Sequence, residues 1–330
     1  MAEFLTFDTD LTAVANAIRA KGGTSAQLVY PNGFVSAIQA IQTGITPKLV
    51  ITTAPGAAIT ATPAEGFKVV KGTAGADGMC TLELPKAGTW HVTAMANSVS
   101  NSQHIVIGTQ NMLLPLYHDT FADNTWEEII AVCRTGIAPD SWAVGDSKTM
   151  NIGGTAYQVD IIGKNHDEYA DGSGTAPLTF QLHDCYSEAK QMYSTNLSGL
   201  GWKNTDMRLT YLPAILALMP AEVQNGIRAV NKKTSEGGNS TTIETVSDTL
   251  FLLSEVEIFG TASSSVSGEG SQYDYYKAGN PKIKKREGVD EFWWERSSAS
   301  GGMFCRVRAN GQAGASNASN SLGVRFAFCF

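Results

Sequence analysis

The stretch Glu291–Phe330, EFWWERSSASGGMFCRVRANGQAGASNASNSLGVRFAFCF, decides how the rest of the chain is read. Phe292, Trp293 and Trp294 open it as core-forming residues. Val324, Phe326, Phe328 and Phe330 close it with the alternation of a half-buried strand. Between these ends, Ser298, Ala299, Ser300, Gly301, Gly302 and the run 309–320 are small or polar. Packed ends holding a middle with little packing to do is the layout of a display surface. Aromatic residues stand at the last positions, where chains generally fray, which predicts a final strand inside a sheet. A glycine-rich hairpin that merely closes a domain is the competing reading, and composition alone favours it.

Alternation along a strand puts Arg306, Arg308, Asn310 and Gln312 on one face and Cys305, Val307, Ala309 and Gly311 on the other. Arginine and aromatic residues favour interface hot spots, and small neighbours leave room for a partner. The contact residues expected are Trp294, Glu295, Ser298, Ser300, Gly302, Met303, Arg306, Arg308, Asn310, Gln312 and Gly314. Trp294 and Met303 would be the apolar anchors. Arg296 and Arg325 are expected to hold the frame as buried or half-buried guanidinium groups with carboxylate or carbonyl partners. The chemistry points to a surface for a protein or a glycan.

At 330 residues the chain should hold two or three domains. Hydrophobic residues at 43% and charged ones at 17% indicate a globular protein with a thinly charged surface. The net charge of −7 argues against a nucleic-acid partner, which calls for a basic face. Only Lys282–Arg286 is locally basic. No apolar run has the length of a membrane span, so no membrane insertion is expected. The N-terminus has acids where a secretion signal needs basic residues, so synthesis in a cytoplasm without a signal peptide is expected. The five cysteines lack any CxxC pair, which favours buried free thiols in a reducing compartment. A Cys305–Cys329 bridge stays open at this point.

Along the chain, Leu11, Val14, Ala15 and Ile18 predict a helix capped by Thr9 or Asp10, and Phe34, Ile38 and Ile41 predict a second. Their apolar faces are too small for a core and need another copy, a larger assembly or the next domain. From Pro47 the pattern turns to short strands between Gly, Pro and Asp-Gly turns, with Trp90, Val92 and Ala94 as one inward face. About six or seven strands fit a small immunoglobulin-like or prealbumin-like sandwich. A larger domain opens near Phe121 with a helix from Trp126, capped within Asp123-Asn124-Thr125. A hairpin over 148–162 turns at Gly153-Gly154. Residues 178–192 read as a strand running into a helix, and 201–218 as helical. Residues 232–247 read as a polar loop, 250–253 as a buried strand followed by 255–259 as a helix or strand, and 260–271 as a mobile Ser/Gly segment. The mixture of helices and antiparallel hairpins is α+β.

Catalytic patterns are lacking: there is no GxSxG, P-loop, GxGxxG or HExxH. Asn165-His166-Asp167-Glu168 contains metal-ligand types, but adjacent residues cannot all face one ion, so local turn bonds are expected and no metal or cofactor. Glu127-Glu128 and Glu255/Glu257 read as exposed faces. Cys305 beside Arg306 has no histidine near it in sequence. The chain is therefore expected not to be an enzyme.

Several motifs resemble known families. Residues 8–41, DTDLTAVANAIRAKGGTSAQLVYPNGFVSAIQAI, resemble the short leader of many phage tail and tail-associated proteins. From Trp126 onward the chain resembles a domain of unknown function found in gut bacteria and their phages. The pieces are Val144-Gly145-Asp146, Ile161-Ile162-Gly163 with Asn165-His166-Asp167, Trp202 with Met207-Arg208, Phe251-Leu252-Leu253-Ser254, and Trp293-Trp294 with Arg296-Ser297 through Gly323-Val324-Arg325 to Ala327-Phe328. That domain is similar to the C-type lectin-like fold shared by formylglycine-generating enzymes and the variable proteins of diversity-generating retroelements. In those variable proteins a framed segment is diversified by mutagenic reverse transcription at template adenines. The Asn, Ser, Ala, Gly and Arg content of about 293–323 looks like such a product.

The resemblance implies receptor binding at a phage tail tip on the virion, often as a trimer, with a bacterial surface protein or glycan as partner. The architecture expected is a helical attachment segment over 1–46, an immunoglobulin-like sandwich over 47–110, and a C-type lectin-like domain over 111–330. A structural virion or surface protein without a variable site is the alternative, and an oxidase related to the formylglycine generators, working through Cys305, a more distant one.

Overall fold

The computed structural model describes residues 8–20, 47–64, 68–107, 110–197, 199–238 and 240–330. The chain divides into two compact units, Met1–Leu116 and Tyr117–Phe330. The fold is mixed α+β, with far more strand than helix.

In the first unit, helix α1 (Asp8–Ala20) buries Ala15 and Ile18, one turn apart on one side. The second predicted helix, over Phe34 to Ile41, lies outside the described residues. Among the described residues seven strands follow: β1 (Lys48–Thr52), β2 (Ala58–Pro63), β3 (Val70–Thr73), β4 (Met79–Glu83), β5 (Gly88–Ala96), β6 (Val99–Ile107) and β7 (Gln110–Leu113). They form two sheets, ordered β4-β1-β7 and β3-β2-β5-β6. The strict alternation of β5 sends Trp90, Val92 and Ala94 inward, to meet Leu49, Ile51, Ile59 and Leu82. Gly72 must be glycine for β3 to lie against β4, since a Cβ there would stand 2.6 Å from Cys80 Sγ.

In the second unit, helix α2 (Trp126–Cys133) starts at a capping box. Thr125 accepts from the Glu128 amide, and the Glu128 carboxylate accepts from the Thr125 amide. Strands β8 (Ser147–Ile152) and β9 (Thr155–Lys164) form the expected hairpin, with Gly153 and Gly154 both at positive φ. β10 (Leu178–Leu182) and β18 (Ala327–Cys329) complete a sheet ordered β18-β10-β9-β8. β18 is held from both sides. It pairs with β10, and beyond it Phe251 exchanges backbone hydrogen bonds with Ala327 while the Arg228 amide donates to Cys329. Phe180, Phe328 and Phe330 pack ring against ring beside this sheet, with Trp126 edge-on to Phe330.

Five expectations differ from the structure. Residues 183–192 form no helix, because their backbone pairs at long range: Tyr186 with Val324, Lys190 with Leu322, Met192 with Ala318. Residues 232–247 are no loop but most of a hairpin, β11 (Val230–Ser235) and β12 (Ile243–Asp248). Its polar Lys232, Thr234 and Ser235 point inward, where buried acids meet them. Leu250–Leu253 are buried, but only Phe251 bridges to β18. The next residues are a short helix (Glu255–Phe259), started by the Ser254/Glu257 capping box and ended by Gly260 at positive φ. Glu255 and Glu257 are buried rather than exposed. The Ser/Gly segment after Gly260 is tied down: Ser263, Ser264 and Ser265 all donate to the Glu255 carboxylate.

Candidate ligand-recognition surface

A small hairpin of β13 (Lys284–Arg286) and β14 (Val289–Glu291) leads into the closing stretch. That stretch folds as an antiparallel meander of β15 (Trp293–Ser298), β16 (Met303–Val307) and β17 (Ala313–Asn317). β15 is buried along its whole length, so its two faces both meet protein. The indole of Trp293 donates to the Lys282 carbonyl at 3.0 Å, and that of Trp294 to the Lys190 carbonyl at 2.8 Å. Each therefore buries its ring with its one polar atom satisfied.

Arg296 anchors the strand from within. Its guanidinium pairs in two-pronged fashion with Glu257 and also donates to the carbonyls of Leu252, Lys233 and Glu269. Lys232 continues the network, 2.8 Å from Glu257 and 2.6 Å from Asp167, and Asp167 also accepts from Thr179 and Tyr273. Burial pushes the Asp167 and Glu257 carboxyls up, but Lys232 with the Thr179 hydrogen bond holds Asp167 below the usual range, and Arg296 with Lys232 holds Glu257 there. Arg325 is equally buried, bonded to the Leu182 carbonyl and the Tyr276 hydroxyl, with its guanidinium over the Trp293 ring. Both arginines thus hold the frame, as their residue type suggested.

One acid in this region has no partner among the described residues. Both carboxyl oxygens of Glu295 are buried and make no hydrogen bond there. Burial, then the charges of Glu255 and Glu269, raise it well above the ordinary carboxylate range. Cys305 lies against the same acids, 3.9 Å from Glu255. Its thiol is pushed up by burial and then by Glu295, which keeps it protonated and away from solvent. All five cysteines are free and buried, so Cys305 and Cys329 are not bridged.

The turns of the meander face outward. Between β15 and β16, Gly301 and Gly302 take positive φ, and a Cβ on Gly302 would meet the Asn196 carbonyl oxygen at 2.5 Å. Between β16 and β17, the Arg308 amide donates to the Gln312 carbonyl and the Gly311 amide to that of Arg308. The strand alternation expected through Gln312 therefore stops at Val307, and Asn310 and Gln312 belong to a turn. Their side-chain amides bond each other at 3.1 Å.

Of the expected contact residues, Ser300, Arg308, Asn310 and Gln312 are exposed, and Gly302, Met303 and Arg306 are half-buried. These are brought together on the two turns and on β16. Trp294, Glu295, Ser298 and Gly314 are buried, and this corrects their reading as contacts. The error has one cause for the first three: β15 is covered on both faces, so alternation along it marks no outer side. Phe292, read as core, is 37% exposed, and the Arg306 guanidinium lies 4.2 Å from its ring centroid. Its place just before the buried tryptophans hid it.

The Asn165–Glu168 cluster is dispersed. Asp167 enters the buried network, while His166 stacks on Tyr273 with ring centroids 3.9 Å apart. Among the described residues no group of three or more His, Cys, Asp or Glu side chains is arranged to hold a metal ion. No helix among them is long and apolar enough to cross a membrane.

Residues 179–330, from within β10 through the meander to β18, match the model of a domain of unknown function, DUF6273. No curated protein matches the chain.

Proposed function

We propose that the meander is the receptor-recognition surface of a phage tail protein, carried on a C-type lectin-like scaffold that follows an immunoglobulin-like spacer in the chain. The observation that carries this reading is the contrast within the meander. Trp293, Trp294, Glu295, Arg296 and Ser297 have no exposed surface, whereas Ser300, Arg308, Asn310 and Gln312 on the two turns that follow are exposed. A rigid base with adaptable side chains above it suits binding without catalysis, because the backbone is preorganised and the contacts can be exchanged. The base tolerates such exchange, since the exposed side chains do little of the packing.

The same contrast gives the retroelement reading its test. Sequencing the codons for residues 293–323 across a population carrying the gene should find changes at adenine-derived positions, concentrated on Ser300, Met303, Arg306, Arg308, Asn310 and Asn317. The codons for Trp293, Trp294, Arg296 and Gly323 should stay fixed. Uniform, low variation across the segment would remove diversification and leave a binder of fixed specificity.

A further inference from the structure

The meander carries two cations that the fold does not neutralise. Arg306 and Arg308 are two residues apart, one at the end of β16 and one just beyond it, about 7 Å along a strand. Arg306 pairs across the sheet with Gly314. Because Gly314 has no side chain, Arg308 occupies its place: a Cβ there would stand 2.7 Å from Arg308 Nε. The two guanidinium groups therefore flank one glycine. Burial, and then the charge of Arg308, pull Arg306 below the usual arginine value, though an arginine so placed stays charged.

Neither guanidinium forms an ion pair among the described residues. The acids of the adjoining hairpin are already engaged, Asp290 by Lys285 and Glu291 by Arg286. Arg306 spends its Nε on the Ala315 carbonyl at 3.1 Å and rests over Phe292. In a chain of net charge −7, two neighbouring arginines without a carboxylate form a local positive patch of the kind that receives an external anion.

We propose that this surface binds an acidic polysaccharide, with carboxylates seated on Arg306 and Arg308 and sugar hydroxyls met by Asn310 and Gln312. This rests on the recognition reading above and names its ligand class. A polysaccharide fits better than an acidic protein because three of the four apolar side chains of β16, Phe304, Cys305 and Val307, are wholly buried, and the fourth, Met303, is half-buried. The one ring exposed beside it, Phe292, is covered on one side by the Arg306 guanidinium at 4.2 Å, so the surface presents a capped ring rather than the free apolar anchor that stable protein interfaces use. It offers guanidinium forks and amides, which suit carboxylates and hydroxyls.

The test is binding of the full chain to immobilised polygalacturonate, alginate and hyaluronate, at low and raised salt. Expected is retention on at least one, weakened by salt, abolished when the polymer's carboxylates are methyl-esterified, and reduced at least tenfold in R306Q/R308Q with the melting temperature unchanged. Three results would each overturn the proposal: retention on none of the three, equal retention on the methyl ester, or equal binding to poly-glutamate. A protein that adsorbs to host cells through the meander, undisturbed by all three polymers, would lose the ligand class while keeping the recognition surface.

Discussion

Arg296 and Glu257 form a two-pronged ion pair in which the side chains are 0% and 2% exposed, with Nη2 at 2.9 Å from Oε1. The pair ties β15 to the short helix over Glu255–Phe259, and so fixes the base of the meander. Removing one partner would leave the other charged and buried. Arg296→Met should therefore destabilise the second unit by about 3–5 kcal/mol, whereas replacing a surface arginine such as Arg308 should cost little. Urea unfolding of the two variants, followed by tryptophan fluorescence, checks the contrast.

Glu295 should work against stability at neutral pH. Its folded-state value lies well above the ordinary range, chiefly through burial. The folded state thus keeps a proton that the unfolded chain releases, and stability falls as pH rises above about 4.3, the unfolded value. Glu295→Gln, which fixes the neutral form, should raise the melting temperature at pH 7 and lose that advantage near pH 4. Asp167 and Glu257 act in the opposite sense, since their lowered values add stability that is lost in acid. Melting curves of the variant and the parent across pH 4–8 separate the two effects, and a Gln variant less stable at pH 7 would refute this role for Glu295.

Gly301 and Gly302 share a turn but differ in what surrounds them. A methyl group on Gly302 would collide with the Asn196 carbonyl, while one on Gly301 has only the end of the Met303 side chain nearby, at 3.8 Å. Both alanine variants bear the cost of positive φ, about 1–3 kcal/mol. Gly302→Ala should be the more damaging by a clear margin, with loss of ligand binding as the turn shifts. Equal stability of the two variants would mean that the Asn196 contact has no such role.

Phe330 packs among Phe180, Phe328 and Trp126, and the Tyr169 hydroxyl donates to its carbonyl at 2.6 Å. Phe330→Ala should cost about 3–5 kcal/mol, as for other buried aromatic residues. A change near zero by denaturant titration would show that β18 is not part of the core.

What could be read beforehand was whatever rests on period and caps. The inward Trp90, Val92 and Ala94, the hairpin around Gly153-Gly154, the Thr125 cap and the enclosed Phe328 all follow local rules. The misreadings share a different origin. The hairpin over 230–248 carries polar residues on its inner side, so polarity suggested a loop. The partners that make those residues tolerable, Asp167 and Glu269, lie far away in sequence. Ser254-x-x-Glu257 is a legible capping box, masked by the apolar run before it, which has the look of a strand. Residues 183–192 have a helical look, yet their hydrogen bonds go to the segment 318–324. Phe292 and Glu295 exchanged roles against expectation, because sequence does not reveal that β15 has no outer face.

The most direct measurement of the proposed recognition role is adsorption of R306A/R308A/N310A to bacterial cells that the parent protein adsorbs to, set beside its melting temperature. The account predicts unchanged melting and loss of adsorption, since these side chains are exposed or half-buried and contribute little to the frame. Full adsorption by a variant that melts like the parent would contradict it, and would place the meander among the structural parts of the protein.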